Sequence, residues 1–138
     1  MLRSLFALCA GLFAVMIVMT VFAVAASLLY PAPVGLEQRG AAEVAAYVAT
    51  LPLAENLMLL CGWLLAAVAG ASVAAKIAPL HALPMAIAIG GLCALLTFLN
   101  AQQVPRPDWM LAVGVALPVP LALVVARLLR KASPAPAG

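Results

Sequence analysis

Residues 55–99 read ENLMLLCGWLLAAVAGASVAAKIAPLHALPMAIAIGGLCALLTFL, and this stretch decides the fold. Two apolar runs, from about Glu55 to Ala75 and from about Leu80 to Leu99, are parted only by Lys76-Ile77-Ala78-Pro79. Each run is close to the ~20 residues with which a helix crosses a hydrocarbon core of about 30 Å. Pro79 cannot continue the first helix and disfavours helical geometry in the residue before it. The stretch therefore predicts two membrane-crossing helices joined in a tight hairpin.

Two further runs flank it. No Asp, Glu, Lys, Arg or His occurs between Arg3 and Glu37, and residues 5–29 would form a helix of roughly 38 Å at 1.5 Å per residue. A fourth span is expected from about Asp108 to Leu129. The whole chain is 68% hydrophobic and 8% charged, with a mean hydropathy of +1.24, which excludes an ordinary water-soluble domain. The expected fold is all-α: an integral membrane four-helix bundle in one domain over residues 1–131, with residues 132–138 a disordered, proline-rich tail. Met1-Leu2-Arg3 and Ala23-Val24-Ala25 also suit a cleaved signal peptide, but the apolar run exceeds the usual ~7–15 residues of such a segment. A retained helix is expected.

The net charge of +3 comes without a basic patch or interleaved aromatics, so it predicts topology and no nucleic acid partner. Arg3, Lys76, Arg127, Arg130 and Lys131 fall on one side of the four spans, while Arg39 and Arg106 fall on the other. Both termini are thus expected in the cytoplasm, and Glu37, Glu43, Glu55 and Asp108 outside. The long outer loop, residues 31–54, opens on Pro31-Ala32-Pro33-Val34-Gly35, which ends the first helix. Within it Val44, Tyr47, Val48 and Leu51 recur at helical spacing, predicting a short interfacial helix over about 41–51. Its plain role is to cap the bundle; its sharper one is a lid.

Small residues recur every fourth position in the hairpin: Gly62, Ala66, Gly70 and Ala74, then Ala82, Ala86, Gly90 and Ala94. Such stripes let helix backbones approach closely where burial from water cannot drive association. Contact between the two hairpin helices is the expected use, with a homo-oligomer seam as the alternative. Pro118 and Pro120 lie in the middle of the fourth span and predict a kink there, because they deprive the carbonyls of Gly114 and Ala116 of their helical donors.

No charged side chain or His lies deep in a span, which argues against an ion-coupled carrier and removes the usual general acids and bases of an enzyme. Cys9, Cys61 and Cys93 have no CxxC spacing and no nearby His, so neither a metal site nor a cofactor is expected. Cys61 and Cys93 fall at similar depths, which alone does not make a disulfide. His81 reads as an interfacial residue beside the turn. The remaining cluster gathers at the outer ends of the hairpin: Glu55 and Asn56, with Asn100, Gln102 and Gln103. Carboxylates and amides there commonly serve as helix-end caps. Their functional alternative is a polar vestibule for a cation or small polar ligand, with Trp63 as its deeper apolar wall.

The pattern Tyr30-Pro31-Ala32-Pro33-Val34-Gly35, Leu51-Pro52, Gly62 to Gly70, Asn100 and Pro105-Arg106-Pro107-Asp108-Trp109 resembles small four-helix bacterial inner-membrane proteins of unknown function. The resemblance implies a bacterial inner membrane and transfers no catalytic residue. Small multidrug-resistance exporters share the size and helix number, but the acid within their first helix is absent here. The expectation is a non-enzymatic helix-packing component, either an oligomer or an accessory subunit with the lipid bilayer and a membrane protein as partners. A small uncoupled transporter or channel for a neutral or weakly polar solute is the alternative.

Overall fold

The computed structural model describes residues 2–104 and 106–132, and no strand occurs among them. Helices α1 (Leu2–Leu29), α2 (Ala41–Thr50), α3 (Leu53–Ile77), α4 (Ala82–Gln103), α5 (Asp108–Ala116) and α6 (Pro118–Ala132) follow in order, with short 3-10 turns at Leu36–Gln38 and Pro79–His81. Four stretches are long and apolar enough to cross a membrane: Leu2–Leu29, Leu53–Ile77, Pro79–Gln103 and Asp108–Lys131. The tail beyond Ala132 and Pro105 lie outside the described residues.

Local chemistry sets the helix ends. Extended Pro52 precedes α3, whose first turn carries Glu55 and whose last carries Lys76, each charge opposing the helix dipole. Arg3 at the start of α1 donates from Nε to the Ile77 carbonyl at 2.6 Å, occupying one of the acceptors that a helix C-terminus leaves free. Pro79 then opens the 3-10 turn that reverses the chain. Gly35 ends the proline-rich stretch in the left-handed region at φ 76°, a conformation that glycine adopts without a steric cost.

Helix α3 lies at the centre, with α1 against one flank and α4 and α6 against the others; α4 also packs on α5, while α1 touches α4 only slightly. Three points fix α1 and α3 as antiparallel: Arg3 at Ile77, Gly11 at Gly70, and Phe22 at Gly62. A methyl group on Gly70 would lie 2.6 Å from Val15 Cγ2 and 2.9 Å from the Gly11 carbonyl oxygen. The two backbones are therefore in direct contact, with Ile89 of α4 closing the same crossing. Toward the end where α1 begins and α6 ends, Ala71, Ala75, Ala82, Ala86, Ala122 and Ala126 form a close-packed alanine core shared by α3, α4 and α6.

The small residues thus serve more partners than the hairpin seam expected from sequence. Gly62 faces α1, Gly70 faces α1 and α4 together, and Gly90 faces the start of α6, where an added methyl would come 2.8 Å from Val119 Cα. Ala66, Ala74, Ala82 and Ala86 are buried, whereas Ala94 is only partly so. The reason is geometric. At about 100° per residue, a four-residue spacing drifts by roughly 40° per step, so a stripe of four small residues winds around its helix and meets more than one neighbour.

At Pro118 the fourth span is interrupted, α5 ending at Ala116 and α6 beginning at Pro118. Leu117 keeps near-helical angles (φ −85°, ψ −27°), and the hydrogen bonds Leu117 N to Val113 O and Leu121 N to Leu117 O bracket the break at 3.0 and 3.1 Å. The buried Pro118 thereby occupies the first turn of a new helical segment, where a missing N–H costs little. Its backbone passes against Gly90.

Candidate functional site

The end of α1, the 31–35 loop, α2, the start of α3 and the end of α4 surround a cavity of about 810 Å³ at the Glu55 end. Val44, Tyr47 and Val48 of α2 and Leu51 just after it border the cavity, as do Ser27 of α1 and Tyr30 just beyond its end. Helix α2 has little backbone packing against the spanning helices, so it covers the chamber mainly through these side chains. Its exposed flank carries Glu43, paired with Arg39 at 3.6 Å, an arrangement that adds little stability in water.

Glu55 and Arg106 both border the chamber. Glu55 sits in the first turn of α3 and is only 7% exposed. Arg106 follows the end of α4 and reaches back, its Nη1 lying 3.8 Å from Glu55 Oε1. The same Nη1 donates to Asn56 Oδ1 at 3.2 Å. Glu55 Oε2 and Arg106 Nε are buried without a hydrogen-bond partner. Burial pulls the Arg106 guanidinium down from its ordinary value, and the facing Glu55 carboxylate pushes it part of the way back.

At 3.8 Å this is an ion pair without a direct hydrogen bond. Taking each charge out of water costs several kcal/mol, and the mutual attraction recovers that only when the remaining donors and acceptors are also satisfied. Here they are not, so the arrangement is a poor clasp for holding helices together.

A second cavity of about 380 Å³ lies deeper, lined by Val15 and Met19 of α1, Trp63 of α3, and Cys93, Leu96, Thr97, Leu99, Asn100 and Gln103 of α4. Gln103 borders both cavities. Both are lined by residues of α1, α3 and α4 and so lie in the groove that these three helices bound. Trp63 packs against Leu60 and Met110 and beneath Gly114, whose lack of a side chain leaves room for its ring.

Of the polar residues picked out by sequence, the structure joins Glu55 and Asn56 through Arg106, and sets Asn100 and Gln103 along the groove. Gln102 is exposed and borders neither cavity. Arg106 is the site residue that sequence reasoning missed, placing it in the charge topology and in the Pro105-Arg106-Pro107-Asp108-Trp109 pattern but not in the polar cluster. Its signal lies in the hairpin itself, which returns the end of α4 to Glu55 and leaves Arg106 the nearest cation along the chain. Cys61 is exposed and Cys93 buried, both as free thiols. No group of three metal-ligating side chains occurs among the described residues.

Fold and site together define a helical protein with four helices fit to cross a membrane and a chamber at one end holding an incompletely satisfied ion pair. No protein-family model, curated protein or solved structure matches the chain.

Proposed function

We propose that this is a non-enzymatic integral membrane protein of the bacterial inner membrane, with both termini cytoplasmic, that binds a small polar or amphipathic molecule in the chamber at its outer end. The observation carrying the proposal is the Glu55–Arg106 pair, buried at the chamber wall with one polar atom of each side chain unpartnered. The opposite half, closed by the alanine core and the Gly11–Gly70 crossing, favours one-sided binding or an uncoupled carrier over an open pore. Helix α2, lying along the outer interface, is the cover of the chamber.

A second reading, a helix-packing subunit of an oligomer or larger assembly, is favoured by the flank of α1. Leu5, Phe6, Phe13, Met16 and Val21 are all exposed there, which suits either lipid or a partner helix. The test is extraction into native nanodiscs followed by mass spectrometry of the intact complex. A retained small molecule that is lost on Glu55→Gln substitution supports the binding role. A stoichiometric partner protein with an empty chamber transfers the role to assembly.

A further inference from the structure

Resting on this reading of the chamber as a binding site, we propose that its ligand is a zwitterionic amphiphile: a molecule whose ammonium group is held by Glu55, whose phosphate is held by Arg106, and whose acyl chain runs down the groove past Trp63.

Charge selects the headgroup. The site brings one carboxylate and one guanidinium, so a lone anion or a lone cation would leave one buried charge uncompensated, whereas a neutral zwitterion matches both. Glu55 is more than nine-tenths buried, and its Oε2 lacks a donor. Arg106 Nε lacks an acceptor, and the hydrogen bond from this side chain goes to Asn56. The 3.8 Å gap between the partners is too long for a hydrogen bond and short enough for one headgroup to engage both. A primary ammonium supplies N–H donors to a carboxylate, and a phosphate accepts from the guanidinium.

Shape selects the tail. The deeper cavity is walled mainly by Val15, Met19, Trp63 and Leu96 and shares Gln103 with the polar chamber. It lies within the apolar length of the spans, at the depth an acyl chain occupies when its headgroup is at the boundary. The apolar face of α2 then covers the junction between headgroup and chain.

The zwitterion is a bilayer phospholipid, since a free aminoalkyl phosphate lacks the acyl chain that fills the deeper cavity and is not neutral. The test uses full-length Trp109→Phe protein, leaving Trp63 as the remaining tryptophan, in nanodiscs of phosphatidylcholine doped with lipids brominated on the acyl chain. Brominated phosphatidylethanolamine should quench Trp63 at roughly tenfold lower mole fraction than brominated phosphatidylcholine, which has no N–H to offer Glu55. Glu55→Gln should abolish that preference. Stepwise N-methylation of the lipid tests the same contact without altering the protein, so a misfolded variant leaves the proposal open to refutation. Displacement of the brominated lipid by millimolar free phosphoethanolamine, which has no acyl chain, would overturn the chain's part in binding, and no displacement supports it. Equal quenching by both headgroups, above that expected from random bilayer contact, overturns the N–H contact to Glu55, and equal quenching by brominated phosphatidylglycerol, which has no ammonium, overturns the zwitterion proposal; either result leaves the binding role standing. Quenching no greater than random contact overturns both.

Discussion

Replacing Gly70 by Ala tests the crossing on which the bundle is built. The added methyl would lie 2.6 Å from Val15 Cγ2, 2.9 Å from the Gly11 carbonyl oxygen and 3.0 Å from Ile89 Cγ2. Val15 and Ile89 have rotamers to give; a carbonyl on the facing backbone does not. Ordinary contact begins at 3.4 Å, so α1 and α3 must part by about 0.5 Å, which places the cost within the ~1–3 kcal/mol typical of overpacking. Gly11→Ala should act similarly, its methyl falling 2.8 Å from the Gly70 carbonyl oxygen. The double variant should cost about 1 kcal/mol less than the sum, because once the helices have separated both methyls fit the same gap. Gly91→Ala is the control: its methyl meets nothing within 4 Å, so stability should hold or rise slightly through helix propensity. Reversible unfolding in mixed micelles or bicelles, read by steric trapping, measures all four. If Gly70→Ala proved as harmless as Gly91→Ala, or the double variant were additive, the close crossing of α1 and α3 would be wrong.

Three further outcomes are expected. Glu55→Leu and Arg106→Leu should each destabilise by about 3 kcal/mol, since each strands a buried charge, whereas the double variant should be less destabilised than either; additive losses in the same unfolding assay would contradict the pairing. Arg3→Ala should cost about 0.5–1 kcal/mol and speed amide exchange in the last turn of α3, because the Ile77 carbonyl loses its donor; unchanged exchange there would remove the cap. In micelles, N-ethylmaleimide reaching the thiols through the detergent should modify Cys9 and Cys61, which lie on the outer surface of the spans, well before the buried Cys93, as followed by intact mass on single-cysteine variants; equal rates would place Cys93 on that surface.

The helical class and the hairpin were readable because both depend on local rules. An uninterrupted apolar run must satisfy its backbone hydrogen bonds internally, and Pro79 leaves few ways to continue. Glu55 and Asn56 were also recognisable as belonging together, standing side by side at a helix start. Arg106 was not, since fifty residues separate it from Asn56 and its value as a partner depends on the close return of α4. The glycine stripes showed that backbones come close somewhere but not to which helix, because a four-residue repeat drifts around its axis.

By itself, then, the sequence determined the four apolar stretches, the turn between α3 and α4, and the break at Pro118, since each follows from hydropathy and from the missing donor of proline within a few residues of chain. Only the tertiary structure decided that α3 stands at the centre, that Gly70 meets α1 as well as α4, and that Arg106 closes on Glu55 at the wall of a chamber. Helix neighbours are chosen by side-chain shape across separate segments, and an apolar run in lipid has no water-facing side whose pattern would reveal that choice in advance.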